Sequence, residues 1–289
     1  MKKFGSKFRD FWRALPLVGE SPPLVTVIEM YGVIGEIGAG RKGLTLKKLE
    51  KSIEAAFKPS SLSAVALAIN SPGGSPVQSR LLLNAVRRAA KEKDVPVLAF
   101  IEDVGASGGY ILALAGDEIY ADESSIVGSI GVISGGFGFH RAIEKLGVER
   151  RVYTAGENKS TLDPFRPEDP EDVARLEAML AELHAQFITL VKDRRGDKLH
   201  ADDELFSGRF WTGTTALEKG LVDGTAQLGE FVRERFGKDV KVKRISADSG
   251  SLLKKLLSGG EAIAAPSLID ADDLIAASER KALWSRFGL

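Results

Sequence analysis

The chain has 289 residues, no cysteine, three histidines and equal numbers of basic and acidic side chains, 40 of each. That length holds one large domain or two small ones, and 44% hydrophobic with 28% charged residues is the balance of a globular protein, not of a disordered chain or a multi-span membrane protein. The charge balance argues against a nucleic-acid binder, and the lack of cysteine excludes a disulfide framework, a thiolate metal site and a thiol nucleophile.

In chain order, residues 1–19 come first. Phe4, Phe8, Phe11, Trp12 and Leu15 fall on one helical face, beside Lys2, Lys3, Lys7, Arg9 and Arg13. A basic helix with an aromatic face suits a membrane interface, and equally an arm that packs on the body or on another subunit. Asp10, Trp12 and Arg13 stand where a secretory signal needs an apolar run. The longest nearly uncharged stretch, 104–115, is well short of the ~20 apolar residues of a membrane span.

The body then alternates strand and helix. A strand is expected over 24–30, with Gly32 and Gly35 at its turn, and a helix over 46–57, with Leu46, Leu49, Ile53 and Phe57 in one stripe. A buried strand over 64–69 ends in Asn70-Ser71-Pro72-Gly73-Gly74, and a helix follows over 77–93. Strand 95–101 leads to a helix entry within 106–114, then to a short strand over 118–121 and another over 151–154. A long amphipathic helix over 170–194 carries Leu176, Leu180, Leu183, Phe187 and Leu190 along one side. A short helix over 216–220 and a strand over 240–245 complete the body. Short, uniformly apolar strands between helices predict an α/β fold with a parallel sheet covered on both faces. Beyond about residue 248, Ser-Gly pairs, alanine runs and Pro266 separate two amphipathic pieces, 252–257 and 273–287. These read as a docking tail or a flexible end.

Two glycine-rich loops carry the candidate chemistry. Gly105-Ala106-Ser107-Gly108-Gly109-Tyr110 follows a buried strand and opens a helix. A serine on such a turn exposes its hydroxyl beyond the carboxyl end of the sheet, and the helix N-terminus offers unpaired N–H groups and partial positive charge. Both suit acyl transfer; a capped glycine turn reads the same way. Asn70-Ser71-Pro72-Gly73-Gly74 ends a strand that a parallel sheet would set beside the one leading to Ser107. Gly74 and Gly108 N–H groups are then a sensible oxyanion pair on two segments.

Serine also needs a base. His140 lies at a helix start, His184 in the long helix as a surface residue, and His200 in a charged turn; none stands in a loop built to hold an imidazole. A lysine works as a base where burial disfavours its charge. Lys159, before the Leu162-Asp163-Pro164-Phe165 segment, is set apart from the charged runs, although a solvated loop lysine gives the same spacing.

With these motifs stand Ile126-Val127-Gly128-Ser129-Ile130-Gly131-Val132, Phe206-Ser207-Gly208-Arg209 with Trp211-Thr212-Gly213, and Gly220-Leu221-Val222-Asp223. In this order and spacing, over roughly 24–236, the chain resembles the signal peptide peptidase A family of bacterial serine proteases. The resemblance implies a Clp-protease/crotonase-like fold with repeated β-β-α units and a Ser/Lys dyad. Ser107 would be the nucleophile, Lys159 the general base, Ser129 the hydroxyl that orients the lysine, and Gly74 and Gly108 the oxyanion donors. It implies hydrolysis of hydrophobic peptides, such as spent signal peptides or membrane-protein fragments, by a homo-oligomer whose short members supply Ser and Lys from the same subunit. No cofactor, metal or nucleic acid is implied. Ile101, Val104 and Ile133 are expected to line the substrate pocket. Residues 1–22 form the basic arm, with peripheral membrane contact through 1–19; residues 23–236 form the peptidase domain and 237–289 a strand and extension. Many relatives carry an N-terminal membrane anchor where this chain has the arm, so a cytoplasmic or membrane-surface location is expected.

Two rival readings remain. An α/β-hydrolase-like esterase would pair Ser107 with His140 or His200. A non-proteolytic scaffold or acyl-CoA-binding relative would keep the fold without the nucleophile. Grouped zinc-ligand spacing and the P-loop and dinucleotide glycine fingerprints are absent.

Overall fold

The computed structural model describes residues 22–37, 41–156, 158–246 and 281–288. The expected arm over 1–19 and the piece over 252–257 lie outside them. A parallel sheet organises the body in the order β10 (Lys241–Ile245), β1 (Leu24–Tyr31), β4 (Leu62–Ser71), β5 (Val97–Ala106), β6 (Glu118–Ala121), β9 (Gly224–Thr225). A two-stranded ribbon, β2 (Glu36–Ile37) with β3 (Arg41–Lys42), stands apart.

Side chains on the central strands alternate between two cores, as strand geometry dictates. Val65, Leu67 and Ile69 of β4 and Val97, Ala99 and Ile101 of β5 face one way. There they meet α1 (Leu46–Phe57), α2 (Pro76–Lys93), the short α3 (Gly108–Ala113) and the C-terminal half of α5 (Pro170–Arg195). Ala64, Ala66 and Ala68 face the other way with Leu98 and Phe100. These small alanines leave room for α7 (Leu228–Phe236), whose Phe231 joins Phe100 and Tyr120 in an aromatic group. Both faces are therefore covered.

β5 is longer than expected, and its two halves have different neighbours. Leu98 to Ile101 pair with β6, whereas Val104 to Ala106 pair with β7 (Ile126–Gly128). β7 pairs antiparallel with β8 (Phe210–Thr212), which leads into α6 (Gly213–Glu218), placed earlier than the expected 216–220 helix. The short β7, β8 and β9 were not expected, because two- and three-residue strands carry no readable period; the nine-residue α7 was not expected either. The strand expected over 151–154 is not one: those residues have no regular structure and no partner strand among the described residues. They belong to a largely exposed stretch, 133–169, around the short α4 (His140–Lys145).

A buried ion pair fastens α5 to the sheet. Arg195 donates from Nη1 and Nη2 to both carboxylate oxygens of Asp223, at 2.8 and 3.2 Å, and from Nε to the Gly220 carbonyl at 2.9 Å. Lys198 and the Ile119 N–H also donate to Asp223, each at 2.7 Å. Burial by itself would raise the Asp223 carboxyl, but the hydrogen bonds from Arg195, Lys198 and Ile119 hold it below the usual carboxylate range. A depressed carboxylate contributes stability that is complete above its unfolded pKa of ~3.9 and lost as pH falls through the lower folded value. Arg195→Ala, which leaves Asp223 with Lys198 and the Ile119 N–H as its remaining partners and the Gly220 carbonyl without its donor, should lower unfolding free energy by about 1–3 kcal/mol in urea titrations near neutral pH. Asp223→Asn should flatten the acid limb of the stability–pH curve below about pH 4.

Candidate active site

The site arises where two loops leave adjacent parallel strands. β4 and β5 pair in parallel, so the Pro72-Gly73-Gly74 turn and the Ser107-Gly108 turn emerge at the same end of the sheet. They touch. A methyl group on Gly73 would lie 2.8 Å from the Ser107 Cβ and 2.9 Å from the Gly108 nitrogen, and Gly73 has φ +106°. A methyl on Gly108 would lie 2.5 Å from the Ser79 Oγ and 3.3 Å from the Gly74 nitrogen. Only glycines permit this crossing.

Gly74 is aimed by its neighbours. Ile34 donates its N–H to the Gly73 carbonyl, and Ser75 donates its N–H to the Ile34 carbonyl, both at 2.8 Å. This isolated parallel bridge uses the groups on either side of Gly74. The Gly74 nitrogen lies close to Gly108, within 3.3 Å of where a methyl on that glycine would stand. Gly108 opens α3, so its N–H is one of the orphan donors of a helix N-terminus. The two donors expected for an oxyanion thus stand side by side on different segments.

Ser107 is the residue before α3, at φ 53° and ψ −122°, and its side chain makes no capping hydrogen bond. A non-glycine residue in this region is strained. Ser107 lines a cavity of about 450 Å³ with Gly74, Gly108, Ser129 and Ile133. The backbone is over-determined here. Ser107 N–H donates to the Gly128 carbonyl at 2.8 Å, and Tyr110, at the end of the same motif, donates from its buried hydroxyl to the Leu221 carbonyl at 2.7 Å.

Ser129 is also at φ 53° and almost buried. Its N–H donates to the Arg209 carbonyl at 2.7 Å, through the β7–β8 pairing. The Trp211 ring covers Gly128, where a side chain would meet it at 2.8 Å. The Phe206-to-Gly213 motif therefore has a local job: it holds the turn that brings Ser129 to the cavity.

Three expected residues do not line the cavity. Ile101 is buried, facing the α2 side of the sheet, and borders a separate hollow at Glu102, Asp122 and Arg244. Val104 is fully buried in a small cluster with Ala106 and Phe287. Both sit inside a central strand whose neighbours cover them, so neither forms the pocket wall. Lys159 is exposed, in a turn where its N–H donates to the Gly156 carbonyl at 3.3 Å, and is not among the cavity residues. It belongs to the exposed stretch that also displays Phe137, Tyr153 and Leu146. Within one chain, Ser107 and Lys159 are not brought together.

His184 was read from sequence as a surface residue; it lines the cavity, and its Nε2 lies 3.0 Å from the Ile130 carbonyl. Its position on α5, one residue after Leu183 and three before Phe187, both cavity residues, was the available signal. His140 and His200 do not line the cavity; His200 Nδ1 instead meets the Glu218 carbonyl. Among the described residues no group of His, Asp or Glu could hold a metal ion.

The model of the family described as Peptidase family S49 matches residues 89–243. Two Brucella proteins named Na(+)/H(+) antiporter NhaA are each 50% identical over 271 residues, 92% of this chain and 37% of theirs. That name is the whole protein's, of which this chain spans about a third. A Synechocystis protein that carries the name of a protease is 32% identical over 79% of this chain and 82% of its own. The chloroplast serine protease SPPA of Arabidopsis is 28% identical over 69% of this chain and 29% of its own. Among solved structures, the 1510-N membrane-bound stomatin-specific protease matches with a TM-score of 0.50 over 82% of this chain and 97% of that one, at 16% identity, in a mutant complexed with a substrate peptide. The likeness extends to the Clp-protease/crotonase-like fold.

If strain at Ser107 is maintained by its surroundings, relieving it is stabilising. Ser107→Gly should be more stable than Ser107→Ala by about 1 kcal/mol, the strain of a positive-φ residue less the entropy cost of glycine, in matched urea titrations.

Proposed function

The chain belongs to peptidase family S49, and we propose that it is a serine endopeptidase in which Ser107 attacks the peptide carbonyl and Lys159 serves as general base. The observation that carries this reading is the crossing of the two loops: a strained, uncapped serine beside the backbone nitrogens of Gly74 and Gly108 on different segments, at a cavity. Such an arrangement suits a tetrahedral oxyanion.

In this mechanism the amine takes the Ser107 proton as the oxygen bonds to the carbonyl carbon. The carbonyl oxygen becomes an oxyanion held by the Gly74 and Gly108 N–H groups. The C–N bond then breaks, the amine returns its proton to the leaving nitrogen, and an acyl-serine remains. Water, deprotonated by the same amine, hydrolyses the ester and restores the hydroxyl. Ser129, at the cavity wall, would orient the amine. Because Lys159 stands on an exposed, apolar-rich stretch of its own chain, we take the lysine to arrive from an adjoining copy in a homo-oligomer, in place of the same-subunit dyad expected from sequence.

The cavity wall includes Ile111, Val132, Leu183, Phe187 and Leu190, which suits extended apolar peptides such as signal-peptide remnants or membrane-protein fragments. Among the described residues no helix is long and apolar enough to cross a membrane. The basic aromatic pattern of residues 1–19 supports work at a membrane surface.

A second reading follows from His184, which borders the Ser107 cavity and would act as base within one chain. The two readings separate by pH: a histidine base gives a rate that rises near neutrality, a lysine base one that rises on the alkaline side. Cleavage of an apolar reporter peptide should fall about a thousandfold or more in Ser107→Ala and in Lys159→Ala. Mixing these two inactive variants should restore activity, because some sites then combine an intact serine with a neighbour's intact lysine. Full activity in Lys159→Ala, with loss in His184→Gln, would establish the second reading instead.

A further inference from the structure

The wall of the Ser107 cavity is charged in one sense only. Its ionisable side chains are Arg80, His184 and Arg286, and each of them can carry only positive charge. Among the described residues no aspartate or glutamate lines it. The rest of the wall is glycine, serine, proline, Gln186 and apolar side chains.

Arg80 is the cation tied to the framework of the site itself. It stands on α2, one residue after Ser79. Ser79 Oγ donates to the Ser75 carbonyl at 2.9 Å, and a methyl group on Gly108 would lie 2.5 Å from that oxygen. The first turns of α2 are therefore packed on the turn that carries Ser107. Toward α5, Arg80 Nη1 donates to Gln186 Oε1 at 3.5 Å, and Gln186 Nε2 donates to Glu182 Oε1 at 3.3 Å. Glu182 itself does not line the cavity. Among the described residues the Arg80 side chain has no other hydrogen bond and no carboxylate partner. Arg87, farther along the same helix, pairs with Asp117 at 2.7 Å.

A guanidinium presents several N–H donors in one plane, matched to the two oxygens of a carboxylate. One long contact to an amide leaves most of those donors open. The apolar wall beside them strengthens any charge-assisted bond they form. A cavity of about 450 Å³ holds only a short stretch of peptide. A group held at Arg80 and a carbonyl at Ser107 therefore belong to neighbouring residues of one substrate.

We propose that Arg80 is a specificity residue, which receives a carboxylate of the peptide whose carbonyl Ser107 attacks. That carboxylate is the C-terminus of the peptide or an Asp or Glu side chain close to the cleaved bond. The effect on cleavage rests on the serine-peptidase reading; the capture of the carboxylate does not. A C-terminal carboxylate near the cleaved bond is what an earlier peptide-bond hydrolysis leaves, so its capture favours fragments over internal segments of intact chains.

The test compares kcat/KM for matched apolar reporter peptides. One pair sets a free C-terminal acid against its amide, and the others set Glu against Gln at single positions within about four residues of the cleaved bond, a stretch that a cavity of this size admits. The acid-to-neutral ratio is read within each protein, so a general loss of activity cancels. Wild type should favour the acid about tenfold in at least one pair, and that pair identifies the source as terminus or side chain. Arg80→Gln should bring the same ratio close to unity. Arg80→Lys, which keeps the charge without the planar fork, should retain part of the preference. Arg80→Glu should reverse it, in favour of a peptide with an amine in place of the carboxylate. Ratios near unity in every wild-type pair overturn the proposal, and so does an acid preference that persists in Arg80→Gln, which assigns the carboxylate to another cation. If wild type cleaves none of the peptides, the peptidase reading fails while capture is still measured by fluorescence anisotropy of the labelled peptides. Tighter binding of the acid forms that disappears in Arg80→Gln supports capture; equal binding of acid and neutral forms, or none, overturns it.

Discussion

The parallel pairing of β4 with β5 is the constraint from which the site follows. It brings two turns to one end of the sheet close enough that Gly73 has no room for a methyl group against Ser107. The proposed chemistry depends on that closeness: the two N–H groups proposed for the oxyanion come from different turns, and neither turn alone supplies both. The strain at Ser107 is sustained by the same packing, through the Gly128 carbonyl behind it and the Tyr110 anchor to Leu221. A looser core would let the serine relax and would dissolve the donor pair with it.

A second layer of the architecture concerns β5. Its first half is ordinary core between β4 and β6, and its second half exchanges β6 for β7. That exchange gives Ser129 its place through β8 and sets Val104 and Ala106 in a small cluster with Phe287. Ser107, Ser129 and Phe287 thus share one set of strands. Movement of β7 and β8 would be felt by all three. By contrast, the stretch carrying Lys159 has few buried side chains of its own and leaves Phe137, Phe139 and Tyr153 exposed.

Much of this was legible in the residues. Strands 24–30, 64–69 and 118–121 and helices 46–57, 77–93 and 170–194 agree with the structure to within a few residues at their ends, because each is long enough or apolar enough to carry a period. The glycine motifs announced the two turns, and the adjacency of their strands follows from the rules of parallel sheets. The misreadings have physical causes. Residues 151–154 look like a strand but have no neighbour to pair with. Ile101 and Val104 look like pocket residues because they lie near Ser107 in sequence, but they belong to a central strand and point into its cores. His184 reads as a surface residue of a long helix, outside any loop built to hold an imidazole, and whether its position on α5 meets solvent or a cavity depends on what packs there.

The sequence by itself determined the local grammar: which stretches are strand or helix, that a serine opens a helix after a buried strand, and that glycines stand where two backbones must touch. These depend on propensities and spacings within a few residues. Tertiary structure decided what those residues face. That Gly74 comes to lie against Gly108, that Trp211 covers Gly128, that Lys159 does not line the cavity of its own chain's Ser107 and that Phe287 packs on Val104 and Ala106 are outcomes of contacts between segments far apart in the chain. No local pattern encodes them, because the direction of a side chain is set by the surface that comes to lie opposite.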